Sequence, residues 1–535
     1  MQGLNKGKKT ALIWAGAILA GFILCGCIVN AVAKHQLRTA VAQIPGADIQ
    51  IGKIHLSLLA GNLELKHVDL SIRDTTDAGP DLEGRIKAIQ LKHVHWFRLF
   101  KGEARADRLL LREPDVHLLL KAPKAEEPDS AQTQESFLKK VSLAEFRVEK
   151  GRIGLCSKAD STRVSAQDLH VSVSEIDLNF PEAVFAFNDS TYRVSVDSLD
   201  FRDALALTRY QVGHLATADA GPVEAWDLHL YNCVKPEEVA ERMGKVAAMW
   251  FDVKLDTLSI SALNIPRMLN GKRVAIDHIH LAGTEATILQ DDRYPPAVPY
   301  ATIQEGINAV EWPLQLNHID AHLDTFTFIW ETTHVNRGAF PMHKVFVDIS
   351  SVSNAPGNVM TMNVKAVRPN HSRLTMTLST KNDKRESTKG TLKILGLEAS
   401  KLDAFTRPLF GATVQANFHQ MDCEFKGDKN QLDADFCMIY DHLSVKAWGD
   451  KSAPVQFVAQ NSGMATFLAN LLLPKANPSS PGKEPKEVEF SFTRNPMQPY
   501  PAYLVQSVTG GMLHTLLPGG KVRSSKKITT LLDDE

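Results

Sequence analysis

The sequence predicts a mainly β protein: a single N-terminal transmembrane helix, then an elongated, curled, groove-like β-sheet with a few short helices. Three observations carry this. Thr10 to Ala33 contains no charged residue. From about Ile49 onward apolar and polar residues alternate for most of the chain, the period-2 pattern of strands with one dry and one wet face. Helical periodicity is too sparse to cover so much sheet, so the dry face must close on itself, curl or hold a ligand.

The uncharged stretch exceeds the roughly 20 residues that cross a bilayer core as a helix. Lys6, Lys8 and Lys9 precede it, and only Lys34 and Arg38 follow closely. The positive-inside bias therefore predicts a cytoplasmic N-terminus, with everything after Ala33 outside the cytoplasm. Leu24-Cys25-Gly26-Cys27 also fits a lipoprotein cleavage box loosely, with Cys27 as the lipidated residue, although Ile28 to Ala33 continue the apolar run. Either reading tethers the bulk of the chain outside the cytoplasm.

The strand pattern is explicit in Ile54-x-Leu56, Leu63-x-Leu65, then Val68-x-Leu70-x-Ile72 with its parity switched, as a bulge or twist would do. It continues through Ile89-x-Leu91, Leu109-x-Leu111, Val116-x-Leu118, Val171-x-Val173, Ile279-x-Leu281, Phe326-x-Phe328, Val345-x-Val347, Leu374-x-Met376 and Phe436-x-Met438. Roughly 25 to 30 strands at about 4.8 Å each would span on the order of 120 to 145 Å. Helical patterns are expected at Pro236 to Trp250, Ser400 to Phe405, Ser462 to Leu472 and Ala502 to Leu517, the last weakened by Gly510 and Gly511. Loops are expected at Asp74 to Gly84, at Lys121 to Ser136, and at the Pro-rich, flexible Leu473 to Lys486. The chain thus divides into residues 1–33, tip and anchor; 34–472, the β-rich body; 473–486, the Pro-rich loop; and 487–535, a final strand with a C-terminal capping helix and tail.

Composition narrows the chemistry. Apolar residues are 44% and charged residues 23%, which suits a folded chain, and the net charge of −1 offers no basic field for nucleic acid. No nucleophile elbow, phosphate-binding Gly loop, His-Glu-x-x-His or dinucleotide fingerprint occurs, so neither an enzyme nor a cofactor is expected. His93-Val94-His95 and His278-Ile279-His280 have the spacing of two metal ligands on one strand face, with no third ligand nearby in sequence. Polar positions of an alternating strand point to water, so solvated side chains are the expected reading of both pairs, and of Asp168-Leu169-His170 as well. Asn188-Asp189-Ser190 and Asn370-His371-Ser372 are glycosylation triplets of the sort chance produces. Of six cysteines, Cys423 and Cys437 flank an expected turn at Gly427 to Asn430, where either a hairpin disulfide or free buried thiols would fit. Leu504, Val508, Met512 and Leu516 share one helical face before Lys521, Arg523, Lys526 and Lys527. That combination suits a cap on the sheet edge, or contact with a membrane or partner.

The segment Ile49 to Leu70, the strand–Pro–strand pattern of Arg108 to Leu120, and Gly411 to Trp448 with Met438 to Val445 resemble the AsmA-like family, including its DUF748 relatives. The resemblance covers nearly the whole chain, through patterns of alternation and no invariant residue. It implies a single-pass protein of the bacterial inner membrane, the bulk periplasmic, whose apolar β-groove handles or transports phospholipid or another acyl-chain lipid and supports outer-membrane homeostasis. A protein partner at the C-terminal end is implied too. Expected groove residues are Leu56, Leu65, Leu118, Val173, Leu281, Phe328, Val347, Met376 and Met438. The alternatives are a scaffolding envelope protein whose curled sheet encloses a filled core, and a surface lipoprotein anchored through Cys27.

Overall fold

The computed structural model describes residues 47–523 apart from 58–59, 73–80, 96–97, 99–102, 121–139, 158–161, 180–183, 187–191, 204–206, 218–220, 236–237, 239–248, 264–267, 269–270, 292–298, 333–334, 368–371, 399–411, 448–472, 498–499 and 517–520. About 75% of what is described is strand and 6% helix, so the protein is mainly β. The Thr10–Ala33 span, Cys25 and Cys27, the Lys121–Ser136 loop, the helical patterns at Ser400–Phe405 and Ser462–Leu472, and the first glycosylation triplet lie outside the described residues.

The chain forms two compact units, one of residues 1–206 and 214–220, the other of residues 207–213 and 221–535. In the first, β1 (Ala47–Ser57), β2 (Asn62–Ile72), β3 (Asp81–Lys92) and β4 (Glu103–Leu120) pair antiparallel in chain order. β4 then runs parallel to β5 (Lys140–Ser157), which pairs antiparallel with β6 (Arg163–Asn179). Three short strands share the far edge of β6: β7 (Val184–Ala186), β8 (Tyr192–Val196) and β9 (Ser198–Arg202). β10 (Thr208–Thr217) is divided between the units.

The second unit repeats the plan. β11 (Val223–Asn232), β12 (Met249–Ser261) and β13 (Val274–Asp291) are antiparallel, and β13 is parallel to β14 (Leu314–Thr332). From β14 an antiparallel meander continues through β15 (Val335–Ser353), β16 (Val359–Val367), β17 (Arg373–Lys381), β18 (Thr388–Glu398), β19 (Ala412–Gly427), β20 (Gln431–Ala447) and β21 (Glu487–Thr493) to β22 (Lys521–Arg523). Two helices complete the described elements: α1 (Ile303–Asn308), started by a Thr302–Glu305 capping box, and α2 (Tyr500–Leu516).

Several sequence expectations change here. Asp81 to Gly84 is strand, which shortens the expected loop before it, and Met249 and Trp250 open β12, so no helix reaches Trp250. Arg108 to Leu120 is a single strand running through Pro114. A left-handed residue makes this possible: Glu113 takes φ +44 with no shift in the pairing register, and the apolar parity moves from Leu109 and Leu111 to Pro114, Val116 and Leu118. His67 on β2, Lys150 on β5 and Asp168 on β6 are left-handed too, at φ between 49 and 54, and between β5 and β6 the register shifts as at a β-bulge. These positions stand at nearly one level across neighbouring strands, because Lys66 pairs with Ala88, Ala88 with Arg112, Arg112 with Glu149 and Gly151 with Leu169. Each strand thus switches faces where its neighbour does, and the sheet keeps one dry side on both halves of the line.

The Pro-rich 473–486 segment is pinned and not a free loop. Asn477 is buried, exchanges backbone hydrogen bonds with Tyr440, and donates from its side chain to the carbonyls of Met438 and Lys486. A second polar knot ties α1 to two turns: Thr302 donates to buried Glu386 at 2.5 Å, and Lys429 reaches Glu305 at 2.8 Å and Glu386 at 3.4 Å.

The best-filled core lies under α2. Tyr503, Ser507, Gly511 and Thr515 turn to the sheet and are buried, flanked by Leu504, Val508, Met512 and Leu516. The helix packs on β19, β20 and β21, whereas the free edge of β21 is extended by β22. The helix therefore covers a face where an edge cap was expected. Its two glycines permit the approach: a Cβ on Gly511 would stand 2.2 Å from Cγ of Phe436, and one on Gly510 2.8 Å from Cε2 of Phe490.

Two outcomes follow for unfolding measured by denaturant titration. Gly511→Ala lowers stability by about 1–2 kcal/mol, because overpacking against Phe436 outweighs the roughly 1 kcal/mol that alanine adds to a helix; a net gain would mean the helix is not seated there. Lys150→Val costs about 1–2 kcal/mol, since a β-branched side chain resists positive φ, while Lys150→Gly costs nothing comparable.

Candidate functional site

Cross-strand partners share a sheet face, so following the register from strand to strand shows what each face carries. In the first unit one row reads Leu56, Leu63, Leu91, Leu109, Phe146, Val173, Tyr192. Beside it runs Ile54, Leu65, Ile89, Leu111, Val148, Val171, Val194. Beyond the line of left-handed residues a third reads Ala47, Ile72, Leu82, Leu118, Leu155, Val164, Phe201. Leu118, Leu155 and Val164 also line a cavity of about 570 Å³, rimmed by Asp81, Asp200 and the cross-strand pair Arg163 and Arg202.

The second unit carries a longer row on eleven strands from β11 to β21: Ala225, Leu258, Leu281, Ala321, Val347, Val364, Met376, Leu392, Cys423, Phe436, Val488. Two residues along, Val223, Ile260, Ile279, Ile319, Ile349, Met362, Leu378, Gly390, Phe425, Ala434 and Phe490 form a parallel row. The opposite face is polar in the same register, through Glu224, Ser259, His280, Asp320, Asp348, Asn363, Thr377, Thr391, Glu424, Asp435 and Glu489.

Coverage of the long apolar row changes along its length. From Leu258 to Leu392 its members are half-buried, shielded by their lateral neighbours. Under α2 three of them are sealed: Cys423, Phe436 and Val488 are each 1% exposed. Among the described residues no second layer lies over the row between β12 and β16 comparable to the one α2 supplies at β19–β21.

The sequence-expected residues sort accordingly. Leu56 and Val173 share one row of the first unit, Leu65 sits in the adjacent row, and Leu118 lines the cavity. Leu281, Val347 and Met376 share the long row of the second unit. Phe328 belongs to another apolar set with Phe251, Ile288 and Phe340. Eight of these nine are half-buried; Met438 is fully buried, beside Met421 in the packed core, and offers no surface to a ligand.

Cys423 pairs across the hairpin with Phe436, and Asp422 with Cys437, so the two sulfurs belong to opposite faces and both thiols are free. The turn at Gly427 to Asn430 is present, closed by the Asp428 amide donating to the Gln431 carbonyl. Burial pushes the Cys423 thiol up to about 11 and the Cys437 thiol up to about 12.

The histidines divide sharply. His93 and His95 lie beyond the end of β3, so they share no strand face, and His93 pairs with Asp107 at 2.9 Å. His170 stands 3.4 Å from Asp168. His278 and His280 do lie on one face of β13, and both contact Asp320 of β14. The further donors, His318 and Asp320, come about 40 residues later and are brought alongside only by the β13–β14 pairing.

Among the described residues no helix is long and apolar enough to cross a membrane. No protein-family model matches the chain, and no curated protein matches it.

The difference in coverage is measurable by pulse alkylation with peptide-resolved mass spectrometry. In a Val347→Cys chain the new thiol labels rapidly under native conditions, while Cys423, in the same row but under α2, stays unlabelled until the protein unfolds. Equal protection of both would mean that the row is covered throughout.

Proposed function

We propose that this chain is a membrane-anchored, non-enzymatic envelope protein of AsmA-like type that holds acyl-chain lipid on the dry face of its sheets. On this reading it is anchored in the inner membrane by Thr10 to Ala33, with its β-rich body in the periplasm. The observation that supports it is the long row from Leu258 to Met376: apolar side chains, in register and half-buried, over which no helix lies among the described residues. Extended apolar surface of this kind is rare on a protein with nothing to bind. It also suits an acyl chain, which needs continuous contact and no directed hydrogen bond.

The energetics agree. Each methylene is worth about 0.8 kcal/mol, so a sixteen-carbon chain leaving a membrane forfeits roughly 12 kcal/mol unless another apolar surface receives it. A row of Leu, Ile, Val and Met returns much of this while leaving the headgroup in water. Specificity for one lipid is low on such a surface.

A second reading, a scaffold with a filled core, is favoured by the β19–β21 end, where Phe418, Phe436, Met438 and Tyr440 pack under α2 with almost no exposure. Site-specific photo-crosslinking in cells separates the two. A photoreactive residue at Leu281 or Val347 on the dry face captures phospholipid, identified by mass spectrometry, whereas one at Asp348 on the wet face does not. Absence of lipid adducts at every dry-face position would leave the scaffold reading standing. Leu281→Asp abolishes capture at Val347 while the far-UV circular dichroism stays unchanged.

A further inference from the structure

The wet face of the second unit carries a cluster that the lipid reading does not use. β13 and β14 are the parallel pair of this unit, and their register sets His278 beside His318 and His280 beside Asp320. His278, His280, His318 and Asp320 share the polar side, since Ile279 and Ile319 between them lie in an apolar row. In-register neighbours on one face stand about 4.8 Å apart, so two imidazoles and a carboxylate converge on a small volume. The His278 and His318 ring centroids are 4.9 Å apart.

We propose that His278, His318 and Asp320 form a binding site for a divalent transition-metal ion of zinc type, clipping β13 to β14. One ligand atom from each lies within 4.8 Å of the other two. The His278 Nε2 contacts Asp320 Oδ1, and His318 Nε2 is 4.0 Å from the same oxygen. A tetrahedral ion with metal–ligand distances of about 2.0–2.2 Å holds its donors roughly 3.3–3.5 Å apart, so small side-chain rotations suffice. The ligand set, two imidazoles and one carboxylate, is of the sort that zinc accepts with its fourth position open to water. The three side chains are 42%, 41% and 31% exposed, so an ion can enter from solvent.

The surroundings prepare the ligands. His280 Nδ1 meets the other oxygen of Asp320 at 2.5 Å, which orients the carboxylate and leaves Oδ1 toward His278 and His318. Asp348, 3.3 Å from His318 Nε2, is a further carboxylate within reach. His–Asp pairs recur elsewhere, as at His214–Asp197, His229–Asp252 and His419–Asp441. Among the described residues, only the β13–β14 cluster brings three such donors together.

The test is an equilibrium titration of the metal-free, full-length chain, without a histidine tag, using Zn²⁺ against a chromophoric chelator at neutral pH. The expected result is a saturable site of one ion per chain, weakened about tenfold or more by His318→Gln and by Asp320→Asn, less by His280→Gln, and not by His95→Gln. Cobalt(II) gives the intense visible bands of a four-coordinate nitrogen–oxygen site, and His318→Gln removes them. If Asp320→Asn fails to fold, His318→Gln decides alone, because its imidazole is half-exposed and its loss leaves no buried gap. Absence of a saturable site, or unchanged zinc affinity in His318→Gln, overturns the proposal.

Discussion

Cross-strand register is the constraint on which the rest of this structure depends. A strand displaced by one residue against its neighbour would turn every dry side chain to the wet face, and a row of eleven partners tolerates no such slip at any junction. In the first unit the changes of face show how strictly this holds. A parity switch on one strand alone would leave half of it facing the wrong way; switches at His67, Glu113, Lys150 and Asp168 occur almost level, so the face is conserved across the line. The cost is a non-glycine residue at positive φ on each of these strands, roughly 1–2 kcal/mol apiece. Alignment of whole rows offsets it.

Within the second unit a single row meets two different fates. At β19–β21 it is the floor of a conventional core: α2 lies across it, its glycines admit Phe436 and Phe490, and Tyr503, Tyr500 and Phe492 close the layer with edge-to-face ring contacts. From β12 to β16, among the described residues, no such helix lies over the row, and its members stay half-buried. The lipid reading and the scaffold reading differ only in which of these two stretches represents the protein's work.

The wet face is organised by the same register. In an antiparallel meander a histidine meets a carboxylate from one neighbour, and most of the His–Asp pairs here stop at that. The parallel junction of β13 and β14 is different because two similar sequences, Asp277-His278-Ile279-His280 and Asn317-His318-Ile319-Asp320, run side by side in the same direction. Like positions then coincide, and donors accumulate where an antiparallel crossing would have scattered them.

Local pattern alone determined much of this protein. Alternation marked the strands and their dry side, the Gly427–Asn430 turn marked a hairpin, and the parity change between Leu65 and Val68 marked the left-handed residue His67, because strand faces follow directly from a period of two. The same pattern found eight half-buried apolar positions, but not that Met438 is sealed: burial depends on what lies over a face, and α2 arrives some 60 residues later in the chain. Pro114 looked like a break between strands, yet the strand runs through it beside left-handed Glu113. The spacing of His278 and His280 suggested two ligands, while the third and fourth donors were beyond reach of any local motif. Only strand pairing, a contact between residues far apart in sequence, decides which side chains become neighbours across a sheet.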